Sequence, residues 1–491
     1  MAGAAMKEMH PILAQLVESI EQNDMILSDE SVKVITGKAI GIPEGMTYTK
    51  AVNILKRKQK QEQEEVNFDR TFLYRPNDGA YALAMVMKEM FGMTLGKAIQ
   101  TFFGERPPEM KRIEIAYGKS VQVPWGRIEI PALDNADVYT QVSQHRDYGH
   151  VFQLIVNAKR KHRAVIEEMF DRVQKHLEDH SIYRGQAIVG TNEPEFYKLE
   201  GFDPESVIYS QDIKRMLEGV LWSPLRFSDS FRRDNIALKR AILLHGHYGC
   251  GKTLTGQRTA AIAVQHGWTY IFAKPGRDDL VDALRTARLY EPAVVFYEDV
   301  DNPTSESDGD SVSRLLDAFD GATAKGGELI VVMTTNHIER IHKGMLRPGR
   351  LDALVEITPL DRAGTEALVT SLVRPECLDK NMDWDAVHEV TEGFYPAFIA
   401  EVVNRATSVA FSECGGAEDY VISTSALTVA AETLRPQLQI MDEAQEGEKR
   451  PELVEALEAE VQRALHGARI HEPGGEAHPD FLLATGSNGN S

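Results

Sequence analysis

The stretch Ala241-Ile242-Leu243-Leu244-His245-Gly246-His247-Tyr248-Gly249-Cys250-Gly251-Lys252-Thr253-Leu254 decides the fold. Its four leading apolar residues read as a buried strand, and Gly246 to Thr253 fits G-x-x-x-x-G-K-[ST] at every fixed position. Glycines in such a loop let successive backbone N–H groups turn inward around a polyphosphate, and the helix that follows offers its positive end. Lys252 can reach the β- and γ-phosphates, and Thr253 can hold Mg²⁺. Gly246, His247, Tyr248, Gly249, Cys250, Gly251, Lys252, Thr253 and Leu254 are therefore the candidate nucleotide-binding set. Cys250 reads as a small filler beside the glycines rather than a reactive thiol.

Outward from the loop the chain alternates between helices and buried strands. Helices are expected over 211–221, 252–266, 278–289 and 311–319, and strands over 241–244, 269–273, 293–297, 329–334 and 354–357. Nearly continuous apolar strands alternating with helices predict a parallel sheet covered on both faces. The strand 293–297 ends in Glu298-Asp299-Val300-Asp301, at the edge where α/β sheets bind ligands. One carboxylate there can complete a Mg²⁺ shell and the next can polarise an attacking water. The strand 329–334 runs into Thr335-Asn336, whose amide can bond that water or the γ-phosphate. Beyond it, Leu346-Arg347-Pro348-Gly349-Arg350-Leu351-Asp352 sets two arginines past the sheet edge, suited to a neighbour's nucleotide.

In this order, these motifs resemble the AAA family of ring-forming ATPases from Ala241 to about Ala410. Leu315-Leu316-Asp317-Ala318-Phe319-Asp320-Gly321 is similar to that family's helix leading to an Asp-Gly turn. Thr335-Asn336 through Asp352 is similar to its second region of homology. The resemblance implies ATP hydrolysis with Mg²⁺ between subunits of a ring, a hexamer or heptamer, acting on a protein substrate. By the same resemblance Thr253 and Glu298 look like metal ligands and Asp299 the catalytic carboxylate. Asn336 looks like the first sensor, Arg347 and Arg350 like trans-acting fingers, and Ile208-Tyr209 like the segment lining the adenine pocket. Three departures stand out. Glu298-Asp299 reverses the family's usual Asp-Glu, residues 270–280 leave little room for an aromatic-Gly pore loop, and Pro396 replaces a residue near the nucleotide. The first two are similar to the branch containing the mitochondrial Rieske-protein translocase, which starts with a membrane anchor. No apolar run of about 18 residues exists here, so neither an anchor nor any membrane span is expected.

At 491 residues the chain is too long for one core. The expected order is a mainly helical region over 1–107, a small α+β domain over 108–200 and the α/β P-loop core over 201–360. A helical lid over 361–440 and an acidic, partly disordered tail over 441–491 complete it. Within this scheme 53–65 is read as a charged helix and 151–180 as one long amphipathic helix. A formal charge of −20 argues against a nucleic-acid-coating role. Lys56, Arg57, Lys58 and Lys60 keep a nucleic-acid motor or loader as an alternative, although a solvated face explains them more simply. A second alternative is an ATP-gated scaffold that barely hydrolyses, suggested by the shorter Asp299 and by Pro396. Three scattered cysteines and the absence of a secretory signal pattern point to the cytoplasm.

Overall fold

The computed structural model describes residues 28–29, 32–35, 39–41, 46–92, 99–101, 104–106, 109–274, 276–300, 327–341, 351–414 and 420–441. The chain divides into two compact units, Met1–Thr358 and Pro359–Ser491. Among the described residues no helix is long and apolar enough to cross a membrane.

Among its described residues the first unit has two main sheets, one of four strands and one of seven, beside three smaller ones that include the hairpin Met110–Ala116 with Lys119–Pro124. The N-terminal main sheet is antiparallel, built from β1 (Glu65–Phe72), β2 (Arg127–Ile130), β3 (Ala136–His145) and β4 (Gly149–Lys159) in the order β1-β4-β3-β2. It is accompanied by helices α1 (Tyr48–Glu62), α2 (Pro76–Phe91) and α3 (Arg163–His180). Where residues 1–107 are described they mix helix and strand: α1 and α2 flank an eight-residue strand, and short strands lie at Val32–Ile35, Ala39–Gly41, Ile99–Thr101 and Gly104–Arg106. The β1 sequence Glu-Val-Asn-Phe-Asp-Arg-Thr-Phe alternates with period two, which suits a half-buried strand. The helix expected over 151–180 needs correcting, because β4 occupies its first third and α3 begins only at Arg163. Phe152, Leu154, Val156 and Ala158 alternate inward on β4, whereas Ile166, Met169, Phe170, Val173 and Leu177 are buried at helical spacing on α3. Since β1 pairs with β4 from Phe72↔Phe152 to Glu65↔Lys159, the sheet joins segments on both sides of 107/108.

The second sheet positions the site. Its strands are β5 (Ala187–Val189), β6 (Glu195–Phe196), β7 (Arg240–His245), β8 (Thr269–Ala273), β9 (Ala293–Tyr297), β10 (Leu329–Thr335) and β11 (Ala353–Glu356), ordered β6-β5-β8-β9-β10-β7-β11. All pairs are parallel except β5–β6, so the sheet is mixed at one edge rather than wholly parallel. Strand β9 is buried at all five positions and β10 at all seven, as strands covered on both faces require. Helix α4 (Gln211–Leu217) precedes β7 in the chain, and on one face of the sheet helix α5 (Lys252–Gln265) lies so close that a Cβ on Gly256 would sit 2.8 Å from the Phe296 ring. On the other, Ala293 and Val295 join Leu284 and Ala287 of helix α6 (Leu280–Leu289) in the core.

One apolar cluster runs from Phe72 and Phe152 of the N-terminal sheet through α2, α3 and α6 to Val295 and Val331 of the second sheet. A buried polar joint crosses the same boundary. The Arg75 N–H donates to the Tyr290 hydroxyl at 2.9 Å. The Arg75 guanidinium donates to the His150 carbonyl at 2.6 Å and to the Thr286 hydroxyl.

The second unit is helical, with α7 (Arg362–Leu372), α8 (Trp384–Thr391), α9 (Pro396–Glu413) and a last helix over 424–441. Asp361 and Asp383 cap the first two, accepting N–H bonds from Gly364 and from Asp385 and Ala386. Pro396 stands in the first turn of α9, where its missing N–H costs no helical bond.

Candidate nucleotide site

Strand β7 delivers the chain at its C-terminal end into Gly246–Thr253, and α5 starts at Lys252. Gly246 has φ 155°, and a Cβ there would meet the Ile357 carbonyl oxygen at 2.6 Å and the Cys250 sulfur at 3.0 Å. Gly251 caps α5 at φ 103°, a left-handed conformation that glycine adopts without strain. The Lys252 ammonium folds into the loop's concavity, donating to the carbonyl oxygens of Gly246 at 2.7 Å and His247 at 2.9 Å. Cys250 is buried beside it, and burial pushes its thiol up from the ordinary cysteine range. That fits a filler and disfavours a thiolate. Tyr248 and Leu254 are exposed at the loop's rim, Tyr248 with its ring edge toward His337 at 6.3 Å.

The acidic residues follow from the strand order. β10 lies between β7 and β9, so the ends of all three strands share one crevice. The Thr253 hydroxyl donates to Glu298 Oε1 at 2.5 Å, and Asn336 Nδ2 donates to Asp299 Oδ1 at 3.1 Å. Thr253 and Glu298 thus set two hard oxygen donors at one point. This is the donor type Mg²⁺ takes when phosphates and waters complete its shell. Among the described residues there is no cluster of three or more His, Cys, Asp and Glu, so a cage made only of such side chains is not found there.

Segment 205–209 lies along α5. The Tyr209 hydroxyl donates to Thr255 at 3.0 Å, and Arg258, nearly wholly buried, donates to the Val207 carbonyl at 3.2 Å and to Glu205 at 2.9 Å. The Arg258 guanidinium stacks over Trp222 at 4.6 Å. Tyr209 is itself buried against the helix, leaving Ile208, half-buried, as the more open residue of the pair. Arg347, Arg350 and the 315–321 motif lie outside the described residues. Asp352, two residues past Arg350, is described: its carboxylate accepts the Ala241 N–H at 2.7 Å, pinning the end of that segment to the start of β7. Between β8 and α6 the chain crosses in 274–279, with Asp279 capping the helix through Val281 N–H. Lys56, Arg57 and Lys60 are exposed on α1, as a solvated face would have them.

Sequence reading missed Thr334 and His337. Thr334 accepts the Asp299 N–H on its hydroxyl at 3.0 Å and the Val300 N–H on its carbonyl at 2.9 Å. His337 is buried, with Nδ1 3.2 Å from Glu339. The signal for both was their position beside Asn336 at the end of β10.

The sheet, the glycine loop and the paired carboxylates define a P-loop nucleotide-binding domain. Residues 242–359 match the family model described as "ATPase family associated with various cellular activities (AAA)". This stretch of the chain is thus similar to an AAA-type ATPase domain. The chain is 27% identical over 221 residues to the ATPase family gene 2 protein of Saccharomyces cerevisiae, covering 41% of this chain and 28% of that protein. It is 30% identical over 218 residues to the Cell division cycle protein 48 homolog of Archaeoglobus fulgidus, covering 41% of this chain and 29% of that one. The matched stretch therefore spans less than a third of either relative.

Proposed function

We propose that the chain is a ring-forming, Mg²⁺-dependent ATPase that hydrolyses ATP to ADP and phosphate to remodel or move a protein partner. The observation that carries this reading is the pairing at the strand ends, Thr253 with Glu298 at 2.5 Å and Asn336 with Asp299 at 3.1 Å. One pair would hold the metal, and the other would orient the water. The bound Mg²⁺ would supply charge neutralisation at the phosphates. Lys252 would leave the loop carbonyls to reach the β- and γ-phosphates. Asp299 and Asn336 would align water for in-line attack, and Arg347 and Arg350 of a neighbouring subunit would offset the developing charge. The short crossing over 274–279 argues that grip by aromatic pore residues is not how the partner is moved.

Steady-state phosphate release and ATP binding by Lys252→Ala and Asp299→Ala test the reading. Lys252→Ala is expected to lose both, and Asp299→Ala to lose phosphate release while binding persists. Wild-type rates in both variants would sink it. ATP binding by the wild-type chain with negligible phosphate release would favour the gated scaffold instead.

A further inference from the structure

Asp299 has φ 47°, a left-handed backbone that short Asp and Asn tolerate better than longer or branched side chains. Its neighbours fix that turn. The Glu298 N–H still follows the β8 ladder, donating to the Ala273 carbonyl at 3.1 Å. The next two N–H groups leave the ladder, and both go to Thr334: Asp299 N–H to its hydroxyl at 3.0 Å and Val300 N–H to its carbonyl at 2.9 Å. Thr334 is 1% exposed, so water offers no ready substitute for its hydroxyl. The chain turns at 299, and the Asp299 carboxylate meets Asn336, two residues beyond Thr334 on the same strand end. Glu298, one methylene longer, spans to Thr253 from the last ladder position.

We infer that Thr334 is a positioning residue that clamps the backbone at 299–300 in its left-handed turn, and that this turn makes the Glu298-Asp299 order obligatory in this chain. The inference rests on the reading of Asp299 as the water-orienting carboxylate. A shorter acid at 299 is then no handicap, because the turn carries the carboxylate forward. Restoring the order more usual in the family would put the longer acid on the left-handed residue and the shorter one opposite Thr253.

The test is steady-state ATP hydrolysis by the full chain, with ATP binding measured in parallel. Asp299→Asn, Thr334→Val, Thr334→Ser and the double variant Glu298→Asp/Asp299→Glu are compared with wild type. Thr334→Val is expected to lower kcat by about 10- to 100-fold with little change in KM, as a small misplacement of a reacting group does. Thr334→Ser keeps the hydroxyl and is expected to stay within about threefold of wild type, the size of one modest hydrogen-bond adjustment. The double variant is expected to lose rate. Wild-type kcat in Thr334→Val, a loss in Thr334→Ser equal to that in Thr334→Val, or full activity in the double variant would each overturn the clamp. Should Thr334→Val fail to fold, the double variant and Thr334→Ser still decide the matter. Wild-type hydrolysis by Asp299→Asn would instead remove the underlying assignment, and the inference with it.

Discussion

Asp78 shows what a single buried carboxyl does in this protein. It sits in the first turn of α2, 1% exposed, accepting the Ser181 hydroxyl at 2.6 Å and the Ile182 N–H at 3.1 Å. Burial outweighs these bonds and pushes its pKa up to about 6. The folded state therefore holds a proton that the unfolded chain releases near pH 4, and stability falls as pH rises from about 4 to 6. The cost above that window is on the order of 3 kcal/mol. Asp78→Asn is expected to raise the melting temperature at pH 7.5 and to lose that advantage near pH 4. A difference independent of pH would refute this. At the same scale, Lys252, Thr253, Glu298 and Asn336 were legible because fixed spacing or a strand end marks them. Thr334 was not, since a threonine within a buried apolar run reads simply as a good strand former. Neither the positive φ at Asp299 nor the bonds that its N–H and that of Val300 make to the distant Thr334 leaves a local trace.

At the scale of elements, five of the seven strands in the ATPase sheet were legible, whereas β5 and β6 lie within the stretch 108–200 that was expected to form a separate domain. The sheet's central strands are short, largely apolar and punctuated, and the expected 269–273 and 293–297 coincide with β8 and β9. The N-terminal layer was not. β4 and α3 abut with only the turn Arg160–His162 between them, and the apolar residues of a half-buried strand followed directly by a helix mimic one long amphipathic pattern. Close packing then locks the layer. A Cβ on Gly79 of α2 would lie 2.1 Å from the Phe152 ring of β4. Gly79→Ala is expected to destabilise by about 1–3 kcal/mol despite its better helix propensity, because a buried ring cannot give way. Denaturant unfolding checks this, together with Phe152→Leu in the Gly79→Ala background, where the added methyl should cost less. Equal penalties in both backgrounds would show that the contact is not the cause.

At the scale of the molecule, the N-terminal sheet and the ATPase sheet share one core and the Arg75 joint to Tyr290 and Thr286. Tyr290 closes the helix that precedes β9, the strand bearing Glu298 and Asp299. A shared core of this kind makes the first unit one body, so nucleotide-driven motion would carry the N-terminal layer with the ATPase sheet. The most direct measurement of the central claim is phosphate release by Asp299→Asn chains, by Arg350→Ala chains, and by their equimolar mixture. Each variant alone is expected to bind ATP and hydrolyse it at least about 100-fold more slowly than wild type, the usual scale for losing one catalytic group. The mixture should recover roughly a quarter of the wild-type rate if sites pair at random across subunit boundaries. Wild-type hydrolysis by either variant alone, or no recovery on mixing, would contradict an ATPase whose sites are completed by a neighbour.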